Sequence, residues 1–316
     1  MSKFNEFKFN SYLWKGQLHE AVNYLSKFQD KKDLLQKYIN VFEEGQYYKR
    51  TNNQVIEDID KIYQKYYRNV FWMNIPNEKA KKLLFEELKT FSGLKRSLPN
   101  DDDIEEEIEK IVKSEGYECL CGDTSGFYGP YIWKSSTKVT YEVELPSGIE
   151  PYTIIMMDGF ISRSWLDFIS FGKTGTGGWV GKDGSLCCVR NSYDTESEKF
   201  NISFLKHEAQ HAYDKKKYPV ITTTDLEYRA KLVELIYYSN NEKIKEIFNE
   251  ADNTNTDNGH SVAAYRIIKK MSQKIFGCEY MNDEKAWANN SNSIKKCARE
   301  LLKESSESLK LDALIH

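Results

Sequence analysis

Phe204-Leu205-Lys206-His207-Glu208-Ala209-Gln210-His211-Ala212 is the stretch that decides the reading of this 316-residue chain. On a helix of 3.6 residues per turn, His207 and His211 lie one above the other, so both imidazoles can reach one metal ion. Glu208, one step round the helix, can reach a water on that metal. Phe204, Leu205, Ala209 and Ala212 give the helix apolar surface to pack in a core, where two adjacent imidazoles without a partner would be costly. A shared cation removes that cost. Two of the five histidines of the chain are spent here; His19 and His316 stand in no comparable pattern and are assigned nothing.

A catalytic zinc site keeps three protein ligands and one open position, so a third ligand must come from elsewhere. Asp225-Leu226-Glu227-Tyr228-Arg229-Ala230 reads as the start of a second helix. The gap from His211 to Glu227 lets the first helix end near Pro219 and the chain turn back alongside it. Glu227 is the expected ligand. It has a competing use, because Thr224-x-x-Glu227 is also a capping box; in that case Asp225 is the substitute ligand. Glu234, two turns further on, would need a deeper approach.

From Ser185 to about Ala230 the chain runs through a strand, a short connection, an HExxH helix and a Glu-bearing helix. That order resembles the zincin metallopeptidases, and the downstream Glu is similar to their gluzincin branch. The resemblance implies Zn2+ as cofactor, a peptide or protein substrate, and a metal-activated water with Glu208 as general base. It also implies that the strand before the helix, Ser185–Arg190, lies at the sheet edge and holds the substrate extended. Such sites often add an oxyanion donor. His260, in Asn258-Gly259-His260-Ser261, is the first candidate and Tyr228 the second. The chain departs from the best-known gluzincins in its short His211–Glu227 gap and in having Lys at position 231, where a supporting acid is usual. The metzincin pattern is absent, since no Gly and third His follow His211 closely. The alternatives are a zincin-like scaffold without turnover, which the intact Glu208 argues against, and a metal-dependent hydrolase of a non-peptide bond.

The expected fold class is α+β: a helical N-terminal domain over residues 1–115, then a zincin-like domain over 116–316 with a small, mostly antiparallel sheet. Apolar stripes at helical spacing mark five helices in the first part: Leu18/Val22/Leu25, Leu34/Leu35/Tyr38/Phe42 closed by Gly45, Val55/Ile59/Ile62/Tyr66, Leu83/Leu84/Leu88/Phe91 stopped at Gly93, and Ile104/Ile108/Ile111 after Pro99-Asn100. No fixed repeat relates them. The acidic run from Asp101 to Glu107 reads as the solvated first turns of the fifth helix, where carboxylates suit the helix dipole. Beyond Gly116, Val139–Glu144, Tyr152–Met157 and Ser185–Arg190 read as strands, with Pro146-Ser147-Gly148 as a turn. From about Glu196 the chain is helical again.

A glycine-rich loop lies between the second and third strands. Its Gly172-Lys173-Thr174 imitates the end of a P-loop, but position 167 is Asp where that motif needs Gly. A dinucleotide-binding GxGxxG starting at Gly175 also fails, at Val180. Turn chemistry or a mobile loop beside a cleft fits better.

With 45 basic and 48 acidic residues, the net charge of −3 gives no electrostatic reason to expect nucleic acid as a partner. No segment approaches the ~18 apolar residues of a membrane span. The N-terminus lacks the apolar core of a signal peptide, so the cytoplasm is the expected compartment. Cys119/Cys121 and the vicinal Cys187/Cys188, with Cys278 and Cys297, match neither a disulfide scaffold nor a paired CxxC zinc site, and reduced thiols are expected.

Overall fold

The computed structural model describes residues 3–94, 100–181, 184–254 and 258–315. It is a mixed α+β structure in two compact units: residues 1–136 with 157–176, and residues 137–156 with 177–316. The compositional shift near 115 coincides with the end of a helix, but the compact units divide elsewhere. Residues 116–136 and 157–176 pack with the N-terminal helices, because Cys119, Ile132, Trp165, Phe168 and Ile169 complete the same core as Tyr63, Tyr67 and Phe71.

Six helices open the chain: α1 (Glu6–Trp14), α2 (Leu18–Leu25), α3 (Lys32–Tyr38, prolonged by a widened turn to Glu43), α4 (Gln54–Phe71), α5 (Asn77–Ser92) and α6 (Asp101–Ser114). The five apolar stripes correspond to α2 through α6. The stripe pattern missed α1, because Phe9 and Leu13 are buried while Phe7 and Trp14 face solvent, which blurs its period. Helix α5 stops at Gly93, whose φ of +66° suits a residue without a Cβ. Helix α6 opens with a capping box, in which Asn100 accepts from the Asp103 amide and the Asp103 carboxylate accepts from that of Asn100. The acidic run therefore serves the helix start, as its position suggested; Pro99 lies outside the described residues.

Short strands follow: β1 (Glu118–Leu120), β2 (Asp123–Thr124), β3 (Phe127–Tyr128) and β4 (Tyr131–Trp133). Longer ones come next, β5 (Ser135–Leu145) and β6 (Gly148–Asp158), then β7 (Ser162–Arg163), α7 (Ser164–Ile169), β8 (Gly178–Val180) and β9 (Leu186–Val189). β1, β4 and β7 form one sheet and β2–β3 a small ribbon, while the four-stranded sheet has the order β5-β6-β9-β8. The stretch read as a glycine-rich loop thus contains a strand. β8 pairs antiparallel with β9, Trp179 opposite Cys187.

A widened helical segment, Lys199–Lys206, leads directly into α8 (His207–Lys217). It is followed by α9 (Thr223–Tyr237), α10 (Glu242–Glu250), α11 (Gly259–Met271), α12 (Glu284–Ala288) and α13 (Ser291–Ile315). Phe200 and Phe204 in the widened segment are almost fully buried against Ile154, Leu186 and Tyr228. Burying two such rings stabilises the fold by about 2–3 kcal/mol each and seats the start of α8. Helix α9 is pinned to α8 by a buried bidentate pair, with Arg229 Nε and Nη2 donating to Asp214 at 2.8 and 2.9 Å. Among the described residues, no helix is long and apolar enough to cross a membrane.

Candidate metal centre

Helix α8 begins at His207 and places it one turn before His211, while α9 returns alongside and brings in Glu227. The three residues are 7–8% exposed, and one ligand atom of each lies within 4.8 Å of the other two. The Nε2 atoms of His207 and His211 face each other at 2.9 Å. Glu227 Oε1 stands 3.3 Å from His211 Nε2, and its Oε2 stands 3.6 Å from His207 Nε2. Tetrahedral ligands at about 2.0–2.1 Å from zinc would be roughly 3.3 Å apart, and these separations bracket that value. This group could hold a metal.

The polar accounting around the group fits a cation. His207 Nδ1 lies 2.7 Å from Glu234 Oε1. When Nδ1–H donates there, the lone pair of Nε2 is left pointing at His211 Nε2 and Glu227. Glu227 Oε2 is buried without a geometrically complete hydrogen bond among the described residues, although His260 Nδ1 comes within 2.8 Å of it. Burial opposes a charge on His207, yet Glu234 and Glu227 outweigh it and lift the imidazole pKa to about 10. Burial likewise opposes the charge on Glu227, and His207, His211 and His260 overcome it and hold the carboxyl far below its usual range. The pocket is therefore built around positive charge among carboxylates, a demand that a proton or a divalent cation meets.

The capping use of Glu227 is not realised. Helix α9 starts two residues earlier than the Thr224 box required: Thr222 is the cap, its hydroxyl oxygen accepting from the Asp225 amide at 3.1 Å. Asp225 accepts from Thr222 and from Arg266, the latter at 2.6 Å, so it stands outside the ligand group. Glu227 is left free to turn inward.

The residue that sequence reasoning set aside is Glu234. Only 2% exposed, it joins His207 Nδ1, Ser203 Oγ at 2.7 Å and Lys243 Nζ at 2.5 Å. Burial works against its charge, but His207 and then Lys243 hold its pKa down at about 2. The supporting acid missing at 231 is thus supplied two turns beyond Glu227 rather than one, and Lys231 instead pairs with Glu250 at 2.6 Å. The available signal was the seven-residue spacing, which returns to the same helix face.

Glu208 is half-buried and, among the described residues, takes no hydrogen bond or ion pair. Its charge is felt at Cys188 and Tyr193, which places it beside β9. His260, at the start of α11 and 58% exposed, does reach the centre through Glu227. Tyr228 does not belong to it: its ring is fully buried beneath the Arg266 guanidinium at 4.3 Å, and its hydroxyl has no partner among the described residues. A neighbouring residue on a helix points about 100° away, which turns Tyr228 into the core when Glu227 faces the histidines.

The sheet also differs from expectation. The strand before the helix, β9, is interior, and β8 occupies the edge. Val189 N donates to Gly177 O and Gly181 N to Ser185 O, so residues 177, 179 and 181 face β9. By the alternation of an antiparallel ladder, the backbone groups of Gly178 and Val180 point to the open side. Gly178 is needed for the approach: a Cβ there would lie 2.3 Å from the Phe204 ring and 2.4 Å from the Cys187 carbonyl oxygen.

Compared with protein-family models, with curated proteins and with solved structures, the chain finds no match.

Proposed function

We propose that the protein is a zinc-dependent, zincin-like peptidase, and the observation that carries this reading is the convergence of His207, His211 and Glu227 on one point with Glu208 adjacent. Two imidazole nitrogens and a carboxylate suit zinc among the common divalent metals. When bound, zinc supplies Lewis-acid polarisation and makes a water acidic near neutral pH.

The remaining roles belong to the chain. Glu208, unengaged by any hydrogen bond among the described residues, takes the proton of the attacking water and passes it to the departing amine. Glu234 fixes the His207 ring and its tautomer. His260, exposed at the rim, is placed to donate to the developing oxyanion, the role for which Tyr228 is no longer a candidate. The outward amides and carbonyls of Gly178 and Val180 offer an extended peptide a strand to pair with, which would make recognition tolerant of side-chain identity.

The test is Glu208→Gln, assayed against a peptide library by mass spectrometry with zinc content measured in parallel. We expect full zinc retention and cleavage reduced by about 100-fold or more. Unchanged cleavage would remove Glu208 as the base, and a wild-type chain that retains no zinc after reconstitution would remove the metal.

A further inference from the structure

We propose that the protein carries a second site, on the flank of α8 turned away from the zinc ligands, that binds a phosphate-bearing small molecule. A cavity of about 530 Å³ opens there, bounded by α8, α9, α13 and the β5–β6 turn. None of His207, His211 or Glu227 lines it. Its volume is within the range of small-ligand sites and far exceeds that of a lone water.

The chemistry of the lining is one-sided. Lys217, Arg229, Arg299 and Lys303 border the cavity, and among the described residues no carboxylate does. Arg229 is balanced from beneath by buried Asp214, and its Nη1 already donates to Ser305, Ser306 and the Leu302 carbonyl, so it adds little to the cavity beyond its wall. The other three cations are uncompensated within the cavity. Arg299 makes no ion pair among the described residues, and the partner of Lys303, Glu307, stands 4.0 Å away on the exposed side. A pocket with this balance concentrates anions.

Gln210 is the second, independent observation. It is 2% exposed, it lines the cavity, and its side-chain amide has no hydrogen bond among the described residues. The amide opens onto the cavity rather than being sealed in the core, so an oxyanion there would accept from its Nε2. The hydroxyl of Ser147 also borders the space, whereas that of Ser306 already donates to the Leu302 carbonyl. Donors converging from several directions match a tetrahedral phosphate better than a planar carboxylate. Tyr213 and Tyr218 add aromatic walls for the body of the ligand. Because Gln210 immediately precedes His211, an occupant would touch the helix that carries the zinc ligands.

The probe is inorganic pyrophosphate, titrated calorimetrically into the full chain both with bound zinc and after zinc removal. We expect one saturable site under both conditions. We expect the double variant Arg299→Ala/Lys303→Ala to weaken it by roughly tenfold or more, and Gln210→Leu to weaken it separately. Lys295→Ala/Lys296→Ala, which removes the same charge elsewhere on α13, should leave it unchanged. Equal weakening by both charge pairs would overturn the proposal, since the effect would then be unspecific electrostatics. Absence of binding up to about 5 mM, binding only to the zinc-loaded chain, or succinate binding as tightly as pyrophosphate would also overturn it.

Discussion

Glu234 accepts from Nδ1 of His207 at 2.7 Å while holding Lys243 with its other oxygen. It lies seven residues beyond Glu227 on the same helix, so α9 supplies both the proposed third ligand and the carboxylate that orients the His207 ring. Removing such a supporting group usually weakens metal binding by about 10–100-fold. We expect that loss for Glu234→Ala in a competitive chelator titration. Zinc affinity equal to that of the unaltered chain would show that His207 is oriented by packing alone.

Glu227 and Asp225 separate cleanly by variant. Glu227→Ala removes the proposed third ligand and should leave the chain without stoichiometric zinc. Asp225→Ala removes the ion pair with Arg266, a partly exposed contact worth about 0.5–1 kcal/mol, and should keep its zinc. The reverse pattern in elemental analysis would transfer ligation to Asp225.

The Arg229–Asp214 pair is 2% and 0% exposed. Arg229→Met leaves Asp214 as an uncompensated buried charge, and we expect a loss of about 3–5 kcal/mol in denaturant unfolding. Replacing both partners by apolar residues should recover much of that loss, because no lone charge remains. A double variant as unstable as the single one would contradict this account.

Stability should also carry a pH signature from α6. Burial, and after it the charges of Asp102, Glu109 and Asp101, raises the Glu105 pKa to about 7. Its Oε1 is buried without a partner. Because the folded pKa lies above the unfolded one, the stabilisation is fully present below about pH 4.5. It is lost as pH rises through about 7. Glu105→Gln should therefore raise stability at pH 8 by about 1–2 kcal/mol, discounted for partial exposure, and change it little at pH 4. An equal gain at both values would place the effect elsewhere.

Gly178→Val tests the edge strand. The side chain would press on the Phe204 ring and the Cys187 carbonyl, displacing β8. We expect a raised KM for peptide substrates with zinc content unchanged, because the nearest atoms the new side chain meets belong to Phe204 and Cys187 and to none of the three proposed ligands. Wild-type KM in a folded variant would mean that substrate does not pair with this strand.

How much was legible in the sequence follows from the range of each interaction. His207, Glu208 and His211 were readable because a helix places residues four apart on one face, whatever else the chain does. The apolar stripes of α2 through α6 and the acidic start of α6 were local in the same sense. Other features required pairing between distant segments. Whether Glu227 caps a helix or turns inward depended on α9 being capped by Thr222, two residues before the apparent box. That β8 and not β9 forms the sheet edge depended on which strands pair. The place of Glu234 at His207, the burial of Tyr228 under Arg266, and the polar cavity around Gln210 depended on how α8, α9, α11 and α13 pack, and no spacing within one segment encodes that.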